Sequence, residues 1–129
     1  MRIGEAAAAA AMTTKALRFY EAEGLLPSPE RAPNGYREYG DETVERLQFI
    51  RRGRAAGLNL AQIREILRLR DAGTAPCHHV SALLGAELES LDTQIAELTA
   101  LRAVVAGFYD TTATADPTTC DAERICSYL

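Results

Sequence analysis

A mainly α-helical chain with a winged helix-turn-helix at its front is predicted by three observations. Helix starts and stops recur along residues 1–70, and an Asn34-Gly35 turn stands between two short extended runs. From Leu84 to Phe108, apolar residues return every three or four positions. These divide the 129 residues into four parts. Residues 1–70 form a helix-turn-helix, a hairpin wing and a second helix pair. Residues 71–76 form a linker, 77–109 a long dimerisation helix, and 110–129 an effector-binding loop and tail.

Each element has a local cause. The Ala6–Ala11 run is a strong helix former, bracketed by the core-sized Ile3, Met12 and Leu17, and small side chains let two helices approach closely. Thr13 and Thr14 are N-cap types for a second helix from about residue 14 to 23, ended by Gly24. Pro27, Pro29 and Pro33 break helix, and Asn34-Gly35 predicts a wing over Arg31–Tyr39. Asp41 is the expected cap of a third helix carrying Val44, Leu47, Phe49 and Ile50. After the Gly57-Leu58 turn, Asn59 or Leu60 opens a fourth helix with Ile63, Ile66, Leu67 and Leu69.

Beyond Cys77 no helix breaker stands before Phe108 except Gly85 and Gly107. Leu84, Leu88, Leu91, Ile95, Leu98, Leu101, Val105 and Phe108 form a coiled-coil seam. Thirty-odd residues give a helix of roughly 45 Å. So long a stripe needs a covering partner, and a second copy of the chain is the simplest one. Residues 111–119 are expected to be a polar loop, followed by a tail with a short helical turn.

A hydrophobic fraction of 47% with 25% charge is ordinary for a folded soluble chain. No stretch is apolar for long enough to span a bilayer, so no membrane partner and a cytoplasmic location are expected. The net charge of −4 is unevenly spread: residues 1–70 hold 12 Lys/Arg against 9 Asp/Glu, and residues 71–129 hold 2 against 9. A basic front and an acidic rear suit a phosphate-facing module joined to one that is not. No Ser/His/Asp, paired-carboxylate or phosphate-loop constellation points to catalysis.

A recognition helix needs short polar or basic side chains near its N-terminus to reach a major groove. Thr13, Thr14, Lys15 and Arg18 stand there, with Tyr20 on the same helix. A wing needs residues that lie along the backbone, and Arg31, Tyr36, Arg37 and Tyr39 are placed for that. Phosphate contacts fix register rather than sequence. The ordered set points to double-stranded DNA.

Three cysteines cannot all pair within one chain, and a reducing compartment favours thiolates over bridges. Cys77 opens the long helix, where the helix dipole favours the thiolate. Cys120 and Cys126 flank a short segment close enough to bite one ion. With His78 and His79 alongside, these soft donors suit a thiophilic ion. As bare sequence, three scattered cysteines are more often small buried hydrophobes than ligands.

Arg18-Phe19-Tyr20-Glu21, Gly24-Leu25-Leu26-Pro27, Asn34-Gly35-Tyr36-Arg37-Glu38-Tyr39 and Gly57-Leu58-Asn59-Leu60-Ala61-Gln62-Ile63-Arg64-Glu65-Ile66 resemble the MerR family of transcription regulators from Met1 to about Phe108. The resemblance implies a homodimer whose long helices pair as an antiparallel coiled coil, each covering the other protomer's DNA-binding domain. It also implies binding to a promoter pseudo-palindrome. The effector-bound dimer would distort the spacer so that RNA polymerase engages both promoter boxes. Metal-responsive members place one cysteine at the start of the dimer helix and two in the following loop, with the helix-start ligand from the opposite protomer. Cys77 matches the first position, and Cys126-Ser127-Tyr128-Leu129 resembles the second loop cysteine with its apolar followers. The first loop cysteine of the family falls near Thr112, where this chain has no ligand: either the loop is extended and Cys120 takes that role, or the site is rearranged. Ala11 stands where the family often has glycine.

Members responding to monovalent copper or silver carry serine at the Cys77 position, so a cysteine there implies a divalent ion: Hg, Cd, Zn, Pb or Co. Three thiolates suffice for Hg(II), whereas the others need a fourth donor from His78, His79, Asp121 or water. Two other readings stand beside this one. The chain could sense thiol oxidation or electrophiles through Cys120 and Cys126 without stable metal binding. It could instead be a thiol enzyme or metal carrier, in which case the front half binds no duplex.

Overall fold

The computed structural model describes residues 1–119, 121–127 and 129. It divides into a compact unit of Met1–Glu87 and a second of Leu88–Leu129. The first holds α1 (Ile3–Ala9), α2 (Thr14–Ala22), β1 (Glu30–Arg31), β2 (Arg37–Glu38), α3 (Asp41–Ala55) and α4 (Leu60–Asp71). Helix α5 (Cys77–Thr114) begins in the first unit and continues into the second, where a single turn of 3-10 helix follows at Pro117–Thr119.

Glycine closes three of the helices in one way. After α2, α3 and α4, Gly24, Gly57 and Gly73 take φ of 77°, 89° and 85°. Their amides bond the carbonyls of Glu21, Arg54 and Arg70. This left-handed C-terminal cap suits a residue without Cβ. Helix α1 closes identically, through Ala11 N–H to Ala8 and Met12 N–H to Ala7, but with alanine at φ 56°. A Cβ in the left-handed region costs roughly 1–2 kcal/mol, part of which alanine recovers by restricting the unfolded chain. Ala11→Gly is therefore expected to raise Tm by a few degrees in a thermal melt. A lower Tm would show that the turn is unstrained.

Thr13 caps α2 by accepting the Ala16 amide at 3.1 Å. Asn59 caps α4 and exchanges hydrogen bonds with Gln62. Asp41 is not the cap expected of it. Gly40 holds that position without a side-chain bond, and Asp41 and Glu42 lie in the first turn of α3 instead. There their charge complements the helix dipole. The wing is a pair of two-residue antiparallel strands, Glu30 opposite Glu38 and Arg31 opposite Arg37. Gly35 N–H bonds the Ala32 carbonyl, and Gly35 at φ 83° turns the chain back.

The core of the first unit draws on every helix of the front. Ala6, Ala7 and Ala10 bring α1 against Leu17 of α2, with Leu47, Ile50, Ile63 and Ile66 completing it. Val80 and Leu83 pack against the same core from the start of α5. Gly53 lets α3 and α4 approach closely, since an added Cβ would meet Ile63 Cδ1 at 3.1 Å.

Two boundaries differ from expectation. Asp71 is the last residue of α4 rather than the first of the linker. Helix α5 runs past residue 109 to Thr114, through residues expected to form a polar loop. The hydroxyls of Thr111, Thr112 and Thr114 donate to the carbonyls of Gly107, Phe108 and Asp110, four residues back. A threonine that satisfies its hydroxyl this way has no need to break the helix.

In the second unit, the face predicted to be a seam is open: Leu88, Leu91, Ile95, Leu98, Leu101 and Val105 are all exposed. No helix among the described residues is long and apolar enough to cross a membrane.

Candidate nucleic-acid interface and metal ligands

Helix α2 turns Leu17 into the core and directs Lys15, Arg18, Phe19 and Ala22 outward. Thr13 is exposed and Thr14 half-buried, while Tyr20 is half-buried against the core. Beside this helix lies the wing, and between them opens a groove of about 860 Å³ lined by Arg2, Arg18, Glu21, Tyr36, Arg37 and Tyr39, among others. Arg18, Tyr36 and Arg37, named from sequence for DNA contact, thus share one concave surface.

Glu21 organises that groove. One carboxylate oxygen accepts from the Arg37 guanidinium, and the other accepts from the Tyr39 hydroxyl at 2.9 Å. The recognition helix is thereby tied to the wing through an acidic group less exposed than its partner. Burial pushes the Tyr39 hydroxyl above the ordinary tyrosine range, so it stays a protonated donor. Arg2 stacks over the Tyr36 ring at 4.1 Å, which orients an otherwise exposed aromatic.

Tyr39 does not occupy the place expected of it. It is 2% exposed and belongs to the core cluster. Its amide bonds the Met1 carbonyl, and its hydroxyl is engaged by Glu21. It supports the wing from beneath rather than lying along its surface. Arg31 is exposed, with its guanidinium donating to the Gly35 carbonyl at 2.8 Å, so it braces the wing turn. Arg2 and Glu21 carried no marked role in the sequence, because their partners lie 16 to 34 positions away. No local pattern announces such pairs.

The thiols fall in separate units. Cys77 is the first residue of α5 and is exposed; Cys126 is exposed in the second unit. Cys120 lies outside the described residues. His78 is exposed and His79 half-buried; the Arg68 hydrogen bond holds the Glu65 carboxyl below its usual range, with a smaller contribution from His79. Consecutive helical residues point about 100° apart, so Cys77, His78 and His79 do not converge from one helix turn. Among the described residues, no three His, Cys, Asp or Glu side chains gather where they could hold an ion. Thr112, where the family register expects a cysteine, sits inside α5 with its hydroxyl on Phe108.

Cys77 does occupy a defined face. Cys77, Leu84, Leu91, Leu98 and Val105 stand seven residues apart along α5. The thiol therefore heads the same heptad line as the exposed apolar stripe.

A recognition helix carrying Lys15 and Arg18 beside a wing carrying Arg31 and Arg37, with the fold described above, defines a winged helix-turn-helix DNA-binding protein. The family described as MerR HTH family regulatory protein matches residues 1–70, and that described as MerR, DNA binding matches residues 44–108. A probable heavy metal-dependent transcriptional regulator of Haemophilus influenzae is 40% identical over 98 residues, covering 76% of this chain and 77% of its own. The mercuric resistance operon regulatory protein of Bacillus cereus is 36% identical, covering 75% of this chain and 74% of its own. The crystal structure of the regulator PbrR691 from Ralstonia metallidurans CH34, in complex with lead(II), superposes with a TM-score of 0.77 at 36% identity, over 100% of this chain and 96% of that one. The chain belongs to the MerR family of transcriptional regulators.

Proposed function

We propose that the chain is a metal-responsive regulator that binds a promoter pseudo-palindrome as a homodimer. On binding a divalent thiophilic ion, it activates transcription by distorting the promoter spacer. The observation that carries this reading is the placement of Cys77 at the head of the exposed apolar line of α5. A second copy covering that line would bring its own residues against the thiol, so ligand binding and dimer geometry would be linked. Cys77 of one protomer and Cys120 and Cys126 of the other would then hold the ion. The metals named for the relatives support a soft effector.

When bound, the ion would supply the positive charge that holds the thiolates of Cys77, Cys120 and Cys126 together. The chain's own residues do the rest. Arg18, Arg37 and Tyr36 hold phosphates on each half-site, and the pairing of two long helices sets the distance between half-sites. The additional protein–DNA interactions that a bent and untwisted spacer permits offset the cost of deforming it, and RNA polymerase is engaged through the reshaped promoter. His78, His79, Asp121 or water would complete the shell for Zn(II), Cd(II), Pb(II) or Co(II), whereas three thiolates suffice for Hg(II).

An anaerobic titration of reduced protein with Hg(II), Cd(II), Zn(II), Pb(II) and Co(II) tests this. Sulfur-to-metal charge-transfer absorbance and free thiols are the readouts. The expected result is saturation at one ion per three thiols lost, with Cys77→Ser abolishing tight binding. Reactive thiols without stoichiometric binding would replace the metal reading with thiol oxidation or electrophile sensing.

A further inference from the structure

Phe19 is a large apolar side chain 46% exposed at the edge of a face that carries Lys15 and Arg18. At 100° per residue, Arg18, Ala22, Lys15 and Phe19 fall within one stripe about 100° wide on the outward side of α2. Phe19 is absent from the core cluster, and the core hydrophobics packed around that cluster do not include it. Its ring is nevertheless held: it meets Tyr20 edge-on at 5.4 Å and 61°, and Tyr20 is packed on the core. A rigid hydrocarbon surface beside Lys15 and Arg18 has no role in folding that the structure displays.

We infer that Phe19 is a specificity-determining residue that reads the C5-methyl group of thymine in the major groove. The inference rests on the DNA-binding reading of α2 given above. The cations beside Phe19 draw the helix to phosphates and to base acceptors, so the ring is delivered to the groove floor with them. Donors and acceptors otherwise cover that floor, and the thymine methyl is the one apolar group it presents. A ring already fixed by Tyr20 loses little freedom when it makes that contact.

The test uses duplexes enriched from a random-sequence pool by the wild-type full-length chain. Each duplex is then resynthesised with deoxyuridine in place of thymidine, one position at a time. At one thymidine per half-site, losing the methyl should weaken wild-type binding about fourfold, and about fifteenfold when both half-sites are changed. Phe19→Ala should bind the thymidine and deoxyuridine duplexes equally at that position and keep wild-type penalties elsewhere. Phe19→Leu, which retains an apolar surface, should keep a preference for thymidine there. Two outcomes overturn the inference: no thymidine is sensitive in the wild type, or Phe19→Ala retains the full penalty. A wild-type chain that enriches no duplex overturns the DNA-binding reading itself, and this inference with it.

Discussion

Replacing Leu91 and Leu98 together with aspartate is expected to leave a monomer of 14.0 kDa where the wild type sediments at twice that mass. Both leucines lie on the heptad line headed by Cys77 and are 43% and 65% exposed in the single chain. A fully buried leucine contributes about 1.5–3 kcal/mol, and in a symmetric dimer each substitution acts twice. Four lost leucines therefore amount to roughly 6–12 kcal/mol at the upper bound, before the cost of desolvating four carboxylates is added. A micromolar dimer has about 8 kcal/mol in total, so the pair should fall apart at any working concentration. Neither residue contributes to the core of the first unit, which should stay folded. Sedimentation equilibrium decides the matter, and a wild type that is already monomeric would remove the homodimer from the proposal. With the dimer gone, two half-sites are no longer bound as one ligand, and duplex affinity should fall with it.

Local chemistry made much of this fold readable in the sequence. Thr13 before α2, Gly24 after it, Asn59 before α4 and Asn34-Gly35 in the wing each act on neighbours within five positions, and each stands where its residue type predicts. The departures come from interactions that residue type does not encode. Threonine disfavours helix in general, yet Thr111, Thr112 and Thr114 continue α5 because carbonyls one turn back accept their hydroxyls. Tyr39 has the look of a surface phosphate ligand until Glu21, 18 positions away, takes its hydroxyl. The candidate metal ligands were legible as soft donors but not as a site: among the described residues no three such groups gather, and in the proposal they come from separate protomers.

Arg46 is the clearest case of a role hidden from sequence, and its removal should strongly destabilise the DNA-binding unit. In the sequence it is one of four arginines in a helix; in the fold it is 7% exposed. Its Nε and Nη2 donate to the buried Leu25 carbonyl at 3.3 and 3.0 Å. Its Nη1 and Nη2 reach the two oxygens of Asp71 at 2.7 and 3.2 Å. One side chain thus joins the end of the α2 turn, the middle of α3 and the last residue of α4. Arg46→Ala leaves the Leu25 carbonyl unsatisfied inside the core and is expected to cost about 2–3 kcal/mol. For a unit of this size that is a Tm drop of roughly 10–20 °C. Asp71 is half exposed, so solvent screens its share, and Asp71→Asn should cost less than about 1 kcal/mol. The two partners also differ in their pH dependence. The Arg46 hydrogen bond holds the Asp71 carboxyl below its usual 3.8. Its contribution is therefore complete above the unfolded value and is lost as pH falls through the lower folded one. Thermal melts between neutral pH and pH 3 should show the wild type losing that increment in acid, while Arg46→Ala has none to lose. If Asp71→Asn proved as damaging as Arg46→Ala at neutral pH, the ion pair rather than the Leu25 carbonyl would be what holds the three elements together.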